Sequence, residues 1–216
     1  MSEPLVCLHD VDFGYDSGRP VLRRCNFRLE AGQRVTLRGA NGSGKTTLLH
    51  LIVGLLRPEA GRVEVFGAPR IVERDFHEVR RRVGLLFQES DDQLFCPTVA
   101  EDVAFGPLNL GLPRQRVRQI VAETLESVGL GGYEHRITYK LSGGEKRLAA
   151  LATVLAMQPE ALLLDEPTSG LDPQATERLT ELLARLPHTM LVVSHQQDFC
   201  RRVTDGTATL CDGQIA

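Results

Sequence analysis

No tryptophan occurs among the 216 residues, and aromatic side chains make up 5% of the chain, three of them tyrosines. A core so poor in rings must be built from aliphatic side chains, and any ring on a loop stands out. The five cysteines (Cys7, Cys25, Cys96, Cys200, Cys211) are odd in number, widely scattered and without a C-x-x-C pair. That spacing argues against a zinc ribbon or a disulfide frame, and for reduced thiols in a cytoplasmic protein. No run approaches the ~18 consecutive apolar residues of a spanning helix, so any link to a membrane has to go through a partner. The opening Met1-Ser2-Glu3-Pro4 lacks the basic and apolar regions of a secretory leader, and none is expected. Formal net charge is −3, so no global basic field argues for nucleic acid. What remains is ordinary globular usage, with 25% charged and 42% apolar residues. The length suits one large α/β domain, with or without a small helical insert.

Against that background, Gly39-Ala40-Asn41-Gly42-Ser43-Gly44-Lys45-Thr46 organises the chain. It fits G-x-x-x-x-G-K-[ST], in which backbone N–H groups cradle phosphates, a lysine reaches the β/γ oxygens and a hydroxyl holds Mg²⁺. Arg34-Val35-Thr36-Leu37-Arg38 reads as a buried strand before it, and Thr47 to Gly54 as a helix closed by glycine. The loop therefore opens a helix, where unpaired N–H groups and the positive dipole end favour an anion.

Upstream, residues 5–9 and 21–29 alternate like half-buried strands of an antiparallel hairpin, joined by the turn formers Gly14-Tyr15-Asp16-Ser17-Gly18-Arg19-Pro20. Tyr15 on this connection either stacks on a purine or packs into the core. Downstream, Gly61 to Gly67 reads as a short strand, residues 76–82 are polar and basic, and residues 83–87 form an apolar strand. It empties into the acidic, amide-rich Gln88-Glu89-Ser90-Asp91-Asp92-Gln93. There Gln88 belongs either to a solvated loop or beside a metal or water next to bound phosphate. Residues 98–128 read as helical with a break at 106–113; Pro113 suits a first turn, and Val117, Ile120, Val121, Leu125 and Val128 share a face.

Leu141-Ser142-Gly143-Gly144-Glu145 opens a further helix through Leu148, Leu151 and Leu155, with Ser142 as its cap and a second N-terminus fit to grip an anion. Ala161 to Leu164 is an apolar strand ending in Asp165-Glu166. Adjacent carboxylates at a strand's end are costly to bury without a cation, and Mg²⁺ beside a triphosphate would supply it. Asp165 then serves the metal, and Glu166 orients or deprotonates an attacking water. Asp172-Pro173 starts a helix striped by Leu179, Leu182, Leu183 and Leu186. Residues 189–193 form the last core strand, ending at Ser194-His195, and 207–215 a final hairpin. His195 thus projects from the same sheet edge, within reach of a γ-phosphate.

Taken in order, Tyr15, GANGSGKT, Gln88, LSGGE, LLLLDEP, SGLD and His195 resemble an ABC-type ATPase subunit over nearly the whole chain. Within the family the chain looks most like the ATPases of energy-coupling factor importers of cobalt, nickel or vitamins. Phe87 to Phe95 and Glu101 to Gly111 carry that likeness. The resemblance implies an α/β P-loop NTPase fold of ABC type. Its mixed core sheet is flanked by helices, with an N-terminal antiparallel β subdomain and a helical insert carrying LSGGE. Residues 1–216 would form a single ATPase domain, about 96–157 of them the helical subdomain inserted in the RecA-like core.

It further implies ATP and Mg²⁺ as ligands. Tyr15 would stack on adenine, and Gly39, Ala40, Asn41, Gly42, Ser43, Gly44, Lys45, Thr46 and Thr47 would hold phosphate. Thr46, Gln88 and Asp165 would serve Mg²⁺. Glu166 becomes the general base, His195 the γ-phosphate switch and Gln88 the metal and water sensor. Ser142, Gly143, Gly144 and Glu145 would contact nucleotide held by the other subunit of a head-to-tail dimer. A homodimer is favoured, with a paralogous partner as the alternative, and transmembrane subunits would hold the pair at the cytoplasmic face of the membrane. Glu89, Asp91 and Asp92, with Glu101 and Asp102 a short helix on, form either a solvated face or a groove for arginines on a membrane-subunit helix. Two departures stand out. Gln196 replaces the acidic residue that usually follows the histidine, and the chain stops soon after Gly213, so no regulatory extension is expected. The rival is a soluble ABC ATPase acting on nucleic acid or the ribosome. Against it stand the absence of coiled-coil heptads between the phosphate loop and LSGGE, and the presence of only one ATPase domain.

Overall fold

The computed structural model describes residues 4–16 and 18–216. Met1 to Glu3 and Ser17, included in the readings of the N-terminus and the first turn, lie outside the described residues. Strands β1 (Pro4–Gly14) and β2 (Pro20–Glu30) pair antiparallel, as their alternation predicts. With β4 (Ala60–Val65) and β5 (Ala68–Arg70) they form a sheet of order β2-β1-β4-β5. A second sheet runs β10-β9-β3-β8-β7-β6. Its members are β3 (Arg34–Arg38), β6 (Val83–Leu86), β7 (Ala161–Asp165), β8 (Thr189–Val193), β9 (Gly206–Cys211) and β10 (Gln214–Ile215). All its pairings are parallel except the terminal β9–β10 hairpin.

Strands β7 and β8 are apolar but for Asp165 and Thr189, because both faces of the sheet are covered there. Along β7 and β8, Leu162, Leu164, Met190 and Val192 face one core, and Ala161, Leu163, Leu191 and Val193 the other. The first core is completed by α3 (Val99–Asn109), α4 (Arg114–Ser127), α5 (Gly143–Leu155), α6 (Pro173–Arg185) and α7 (Gln197–Val203). The second is completed by α1 (Lys45–Ile52), α2 (Glu73–Arg82) and the antiparallel sheet.

Three elements depart from the sequence reading. Helix α2 was expected only as a polar, basic stretch; it forms because Phe76 and Val79, one turn apart, bury a narrow stripe. Its start is fixed by Asp75, whose carboxylate accepts from the N–H groups of Ile71 and Val72. Strand β5 is three residues long, and α7 is seven residues held by buried Phe199, Cys200 and Val203. Helix α3 also runs through Pro107 to Asn109, so the break is shorter than 106–113, and Pro113 is the residue before α4 rather than within its first turn. Proline fixes φ on either side of that boundary.

Candidate active site

Strands β3, β8, β7 and β6 are neighbours and parallel, so their carboxyl ends share one edge. In open α/β sheets that edge is where ligands gather. The phosphate-type loop leaves β3, Gln88 follows β6, Asp165 ends β7 with Glu166 next, and His195 lies just past β8. The topology therefore brings the expected residues together from four separate stretches of sequence.

Helix α1 begins with no side-chain cap, and its first residue after Gly44 is Lys45. The N–H groups of its first turn face outward to whatever anion sits there. Gly44 has φ 103°, and a Cβ there would come within 2.7 Å of Val21, so only glycine fits. Lys45 is buried, and its Nζ donates to the carbonyls of Gly39 and Ala40 at 2.9 Å each. The ammonium is thus parked across its own loop. Ala40 to Ser43 line a cleft of ≈ 670 Å³ with Arg19, Arg23 and Asp212.

Tyr15 is exposed, stands edge-on to Phe13 with ring centroids 5.1 Å apart, and its hydroxyl lies 3.1 Å from Thr47 Oγ1. It is a surface ring, so the reading in which it packs into the core does not hold. The Thr47 hydroxyl is committed to Tyr15, which leaves Ser43 and Thr46 as the half-buried hydroxyls of the loop, Ser43 Oγ without a partner among the described residues.

Asp165 is 3% exposed, and its Oδ1 has no hydrogen-bond partner among the described residues. A buried carboxylate oxygen without a donor is costly, and a divalent cation would satisfy it. The donor set of Asp165, Thr46 and Gln88 is all oxygen, as Mg²⁺ requires, so these residues fit that ion. Glu166 adopts φ 42°, a left-handed conformation that costs a non-glycine residue roughly 1–2 kcal/mol. Burial pushes its carboxyl above the ordinary range, and His195 partly pulls it back. Nε2 of His195 lies 3.4 Å from Glu166 Oε1.

Arg147, not singled out from sequence, holds this region in place. It is 2% exposed and donates to the carbonyls of Phe87, Asp165, Glu166 and Pro167. Desolvation draws its pKa down to about 10, so it keeps its charge at neutral pH. One guanidinium therefore ties α5 to the ends of β6 and β7 and over-determines the strained Glu166 backbone. The signal was present in the sequence: Arg147 stands four residues before the buried Leu151 and so lies on the buried side of its helix.

At the start of α5, Ser142 and Glu145 form a reciprocal capping box. The Glu145 carboxylate also accepts from the Tyr133 hydroxyl at 2.8 Å and stands 3.6 Å from Arg136. The N–H groups of Gly143 and Gly144 have no acceptor among the described residues. This second N-terminus opens on a cleft of ≈ 260 Å³ shared with Gln88, Glu89 and Asp91, not on the phosphate-type loop of the same chain.

The acidic face needs correction. Asp102 is buried, accepting from the N–H groups of Phe95 and Cys96 and from the Thr138 hydroxyl. Glu101 closes the capping box of α3 with Thr98. Neither belongs to an acidic groove, because each is occupied in holding its own helix start. Glu89, Asp91 and Asp92 remain at the surface, and Asp91 pairs with Lys146 at 2.6 Å.

The profile of the ABC transporter family matches residues 22–169. The energy-coupling factor transporter ATP-binding protein EcfA of Methanothermobacter thermautotrophicus is 43% identical over 215 residues, covering 98% of this chain and 69% of that protein. Among solved structures, cbiO1 of Clostridium perfringens, part of the ABC transporter complex cbiONQ, superposes with TM-score 0.88 at 30% identity, covering 100% of this chain and 88% of that one. An ATP-binding cassette dimer in a post-hydrolysis state with ADP and Pi superposes with TM-score 0.88 at 28% identity, covering 97% and 96%. No helix among the described residues is long and apolar enough to cross a membrane.

Proposed function

Since the chain belongs to the ABC transporter ATPase family, we propose that it powers a membrane importer of the energy-coupling factor type, its cargo a transition-metal ion such as cobalt or nickel, or a vitamin. The observation that carries this reading is the convergence of the phosphate loop, Gln88, Asp165-Glu166 and His195 on one sheet edge, with the LSGGE helix start on a cleft that Gln88 lines and the phosphate loop does not. Residues 1–216 act as one ATPase domain in this reading, with about 96–157 as its helical subdomain.

ATP enters with its phosphates on the loop Gly39 to Thr47, its adenine against the exposed Tyr15 ring. Lys45 exchanges its carbonyl partners for β/γ oxygens, a charge-assisted contact stronger than the two it gives up. Thr46, Gln88 and Asp165 would hold Mg²⁺, which would supply Lewis-acid neutralisation of the phosphate charge when bound. Glu166, kept basic by its raised pKa, accepts the proton of the attacking water, and His195 beside it contacts the γ-phosphate. Ser142 to Glu145 complete the partner subunit's site, since the open N–H groups are those of Gly143 and Gly144 and this helix start does not line the cleft of its own phosphate loop. The cassette dimer similar to this chain supports a two-subunit assembly. Peripheral attachment at the cytoplasmic face follows from docking on transmembrane subunits, with Glu89, Asp91 and Asp92 as the contact.

The deciding experiment is co-purification with membrane subunits, followed by ATP-driven uptake of cobalt, nickel and vitamins into vesicles. Uptake of one of these upholds the reading. ATPase activity stimulated instead by nucleic acid or ribosomes would favour the soluble rival.

A further inference from the structure

A second chemical centre lies on the outer face of the antiparallel sheet, away from the nucleotide edge. Along β1 and β4, Val6, Leu8, Val63 and Val65 are wholly buried against the core, so the alternate residues Cys7, His9 and Glu64 lie on the opposite face of the sheet, Cys7 nearly covered at 9% exposure and the other two half-buried. Cys7 and His9 are two apart on one strand, and Glu64 is the direct cross-strand partner of Cys7. One ligand atom from each lies within 4.8 Å of the other two, and His9 Nε2 is 3.2 Å from Glu64 Oε2. Sequence spacing concealed the grouping, because β1 and β4 are joined only through the register of the sheet.

From this cluster we infer that Cys7, His9 and Glu64 bind a borderline divalent transition ion of the Zn²⁺, Co²⁺ or Ni²⁺ class. A sulfur, an imidazole nitrogen and a carboxylate oxygen form the mixed donor set such ions prefer, whereas Mg²⁺ and Ca²⁺ take oxygen alone. Tetrahedral sites with bonds of ~2.0–2.3 Å hold their ligand atoms roughly 3.5 Å apart, so small side-chain rotations close the triangle. Three protein ligands leave a fourth position to water, the arrangement of an open, exchangeable site. The Cys7 thiol is pushed above its ordinary pKa by burial and by Glu64, and ion binding would convert it to thiolate. The neighbouring cations are already matched: Arg62 pairs with Glu64 Oε1 at 2.9 Å, and Arg28, opposite Cys7, pairs with Glu30.

The test is titration of the reduced full chain with Co²⁺, without nucleotide, following the thiolate-to-cobalt charge-transfer band. One ion per chain should bind with tetrahedral d–d intensity, Zn²⁺ should displace it, and excess Mg²⁺ should not. Cys7→Ser should abolish the band. His9→Ala and Glu64→Gln should each weaken binding by more than about tenfold, a loss that even supporting residues of metal sites produce. Cys96→Ser and Cys211→Ser, at the two cysteines with most solvent access, should leave it intact. Far-UV melts confirm that each variant is folded, and Glu64→Gln tests the site independently should Cys7→Ser fail to fold. Absence of the band in the wild type, its survival in Cys7→Ser, or its loss in Cys211→Ser alone would overturn the assignment.

Discussion

Nε2 of His195 stands 3.4 Å from Oε1 of Glu166, and each is delivered by the end of a different parallel strand. Burial raises the Glu166 carboxyl, and the His195 side opposes that rise. A general base works only when deprotonated, so turnover should climb with pH through an inflection above that of a free glutamate. Replacing His195 by alanine removes the opposing influence and should move the inflection further up. A pH–rate profile of kcat for both proteins checks the sign, and an inflection moving downward would dissociate the pair.

Glu166→Gln should cut hydrolysis by roughly 10²- to 10⁴-fold, because an amide keeps the shape but cannot take the water's proton. ATP binding should survive, and Mg-ATP should then trap a dimer seen by gel filtration. The same substitution should raise Tm at neutral pH. A carboxyl whose pKa is raised by folding favours the native state only while protonated, so wild type loses that contribution as pH rises through its folded pKa. The difference in Tm should close as pH falls. A variant hydrolysing at the wild-type rate would falsify the role of Glu166.

Arg147→Ala should cost about 3 kcal/mol of stability, since it takes a buried donor from the carbonyls of Phe87, Asp165 and Pro167, while the Glu166 carbonyl keeps only the Ser169 N–H. If the guanidinium also positions Glu166, kcat should fall on the order of 10²-fold at temperatures where the variant is folded, with ATP affinity unchanged. Arg147→Lys should recover part of the stability and less of kcat, because an ammonium cannot span four acceptors in a plane. Equal loss of kcat and affinity would point to a merely structural role.

The legible parts of this chain were those where local pattern and chemistry coincide. The apolar runs of β7 and β8, the Ser142 capping box and the Asp172-Pro173 helix start each carry a signal within a few residues. Helix α2 was not legible because its buried stripe is only Phe76 and Val79 among charges. Asp102 misled for the opposite reason: its carboxylate is satisfied by two backbone N–H groups and Thr138, 36 residues away, a closure no local window contains. The Cys7, His9 and Glu64 grouping is likewise a product of register.

If that helix start acts across the dimer, as proposed, Ser142→Arg should spare ATP binding to the isolated subunit and stop hydrolysis. Lys45→Ala should weaken ATP binding by about ten- to a hundredfold, the scale of a lost charged hydrogen bond of about 1.5–3 kcal/mol. Mixing the two variants gives a heterodimer in which one composite site carries both lesions and the other none, so part of the activity should return. Full turnover by the Ser142→Arg homodimer would remove the trans assignment.

The surface carboxylates after Gln88 bear on coupling. Asp91 is 76% exposed on its side chain and pairs with Lys146, three residues beyond the first residue of α5. An exposed pair of this kind contributes little to stability, typically about 0.2–1 kcal/mol, so it can be exchanged cheaply for a better partner. An arginine on a membrane-subunit helix would be one, since guanidinium pairs with carboxylates bidentately. Because the segment follows Gln88 directly, movement at the phosphate end of the site would shift whatever is docked there. Rim charges chiefly govern association and its salt response. Asp91→Asn with Asp92→Asn should therefore weaken complex formation most at low salt, while the isolated subunit keeps nearly all its ATPase activity. A pull-down across a salt series beside an ATPase assay reads both quantities. Assembly equal to wild type at every salt concentration would make these carboxylates a solvated face, and would move the search for the docking surface to other residues around the helical subdomain.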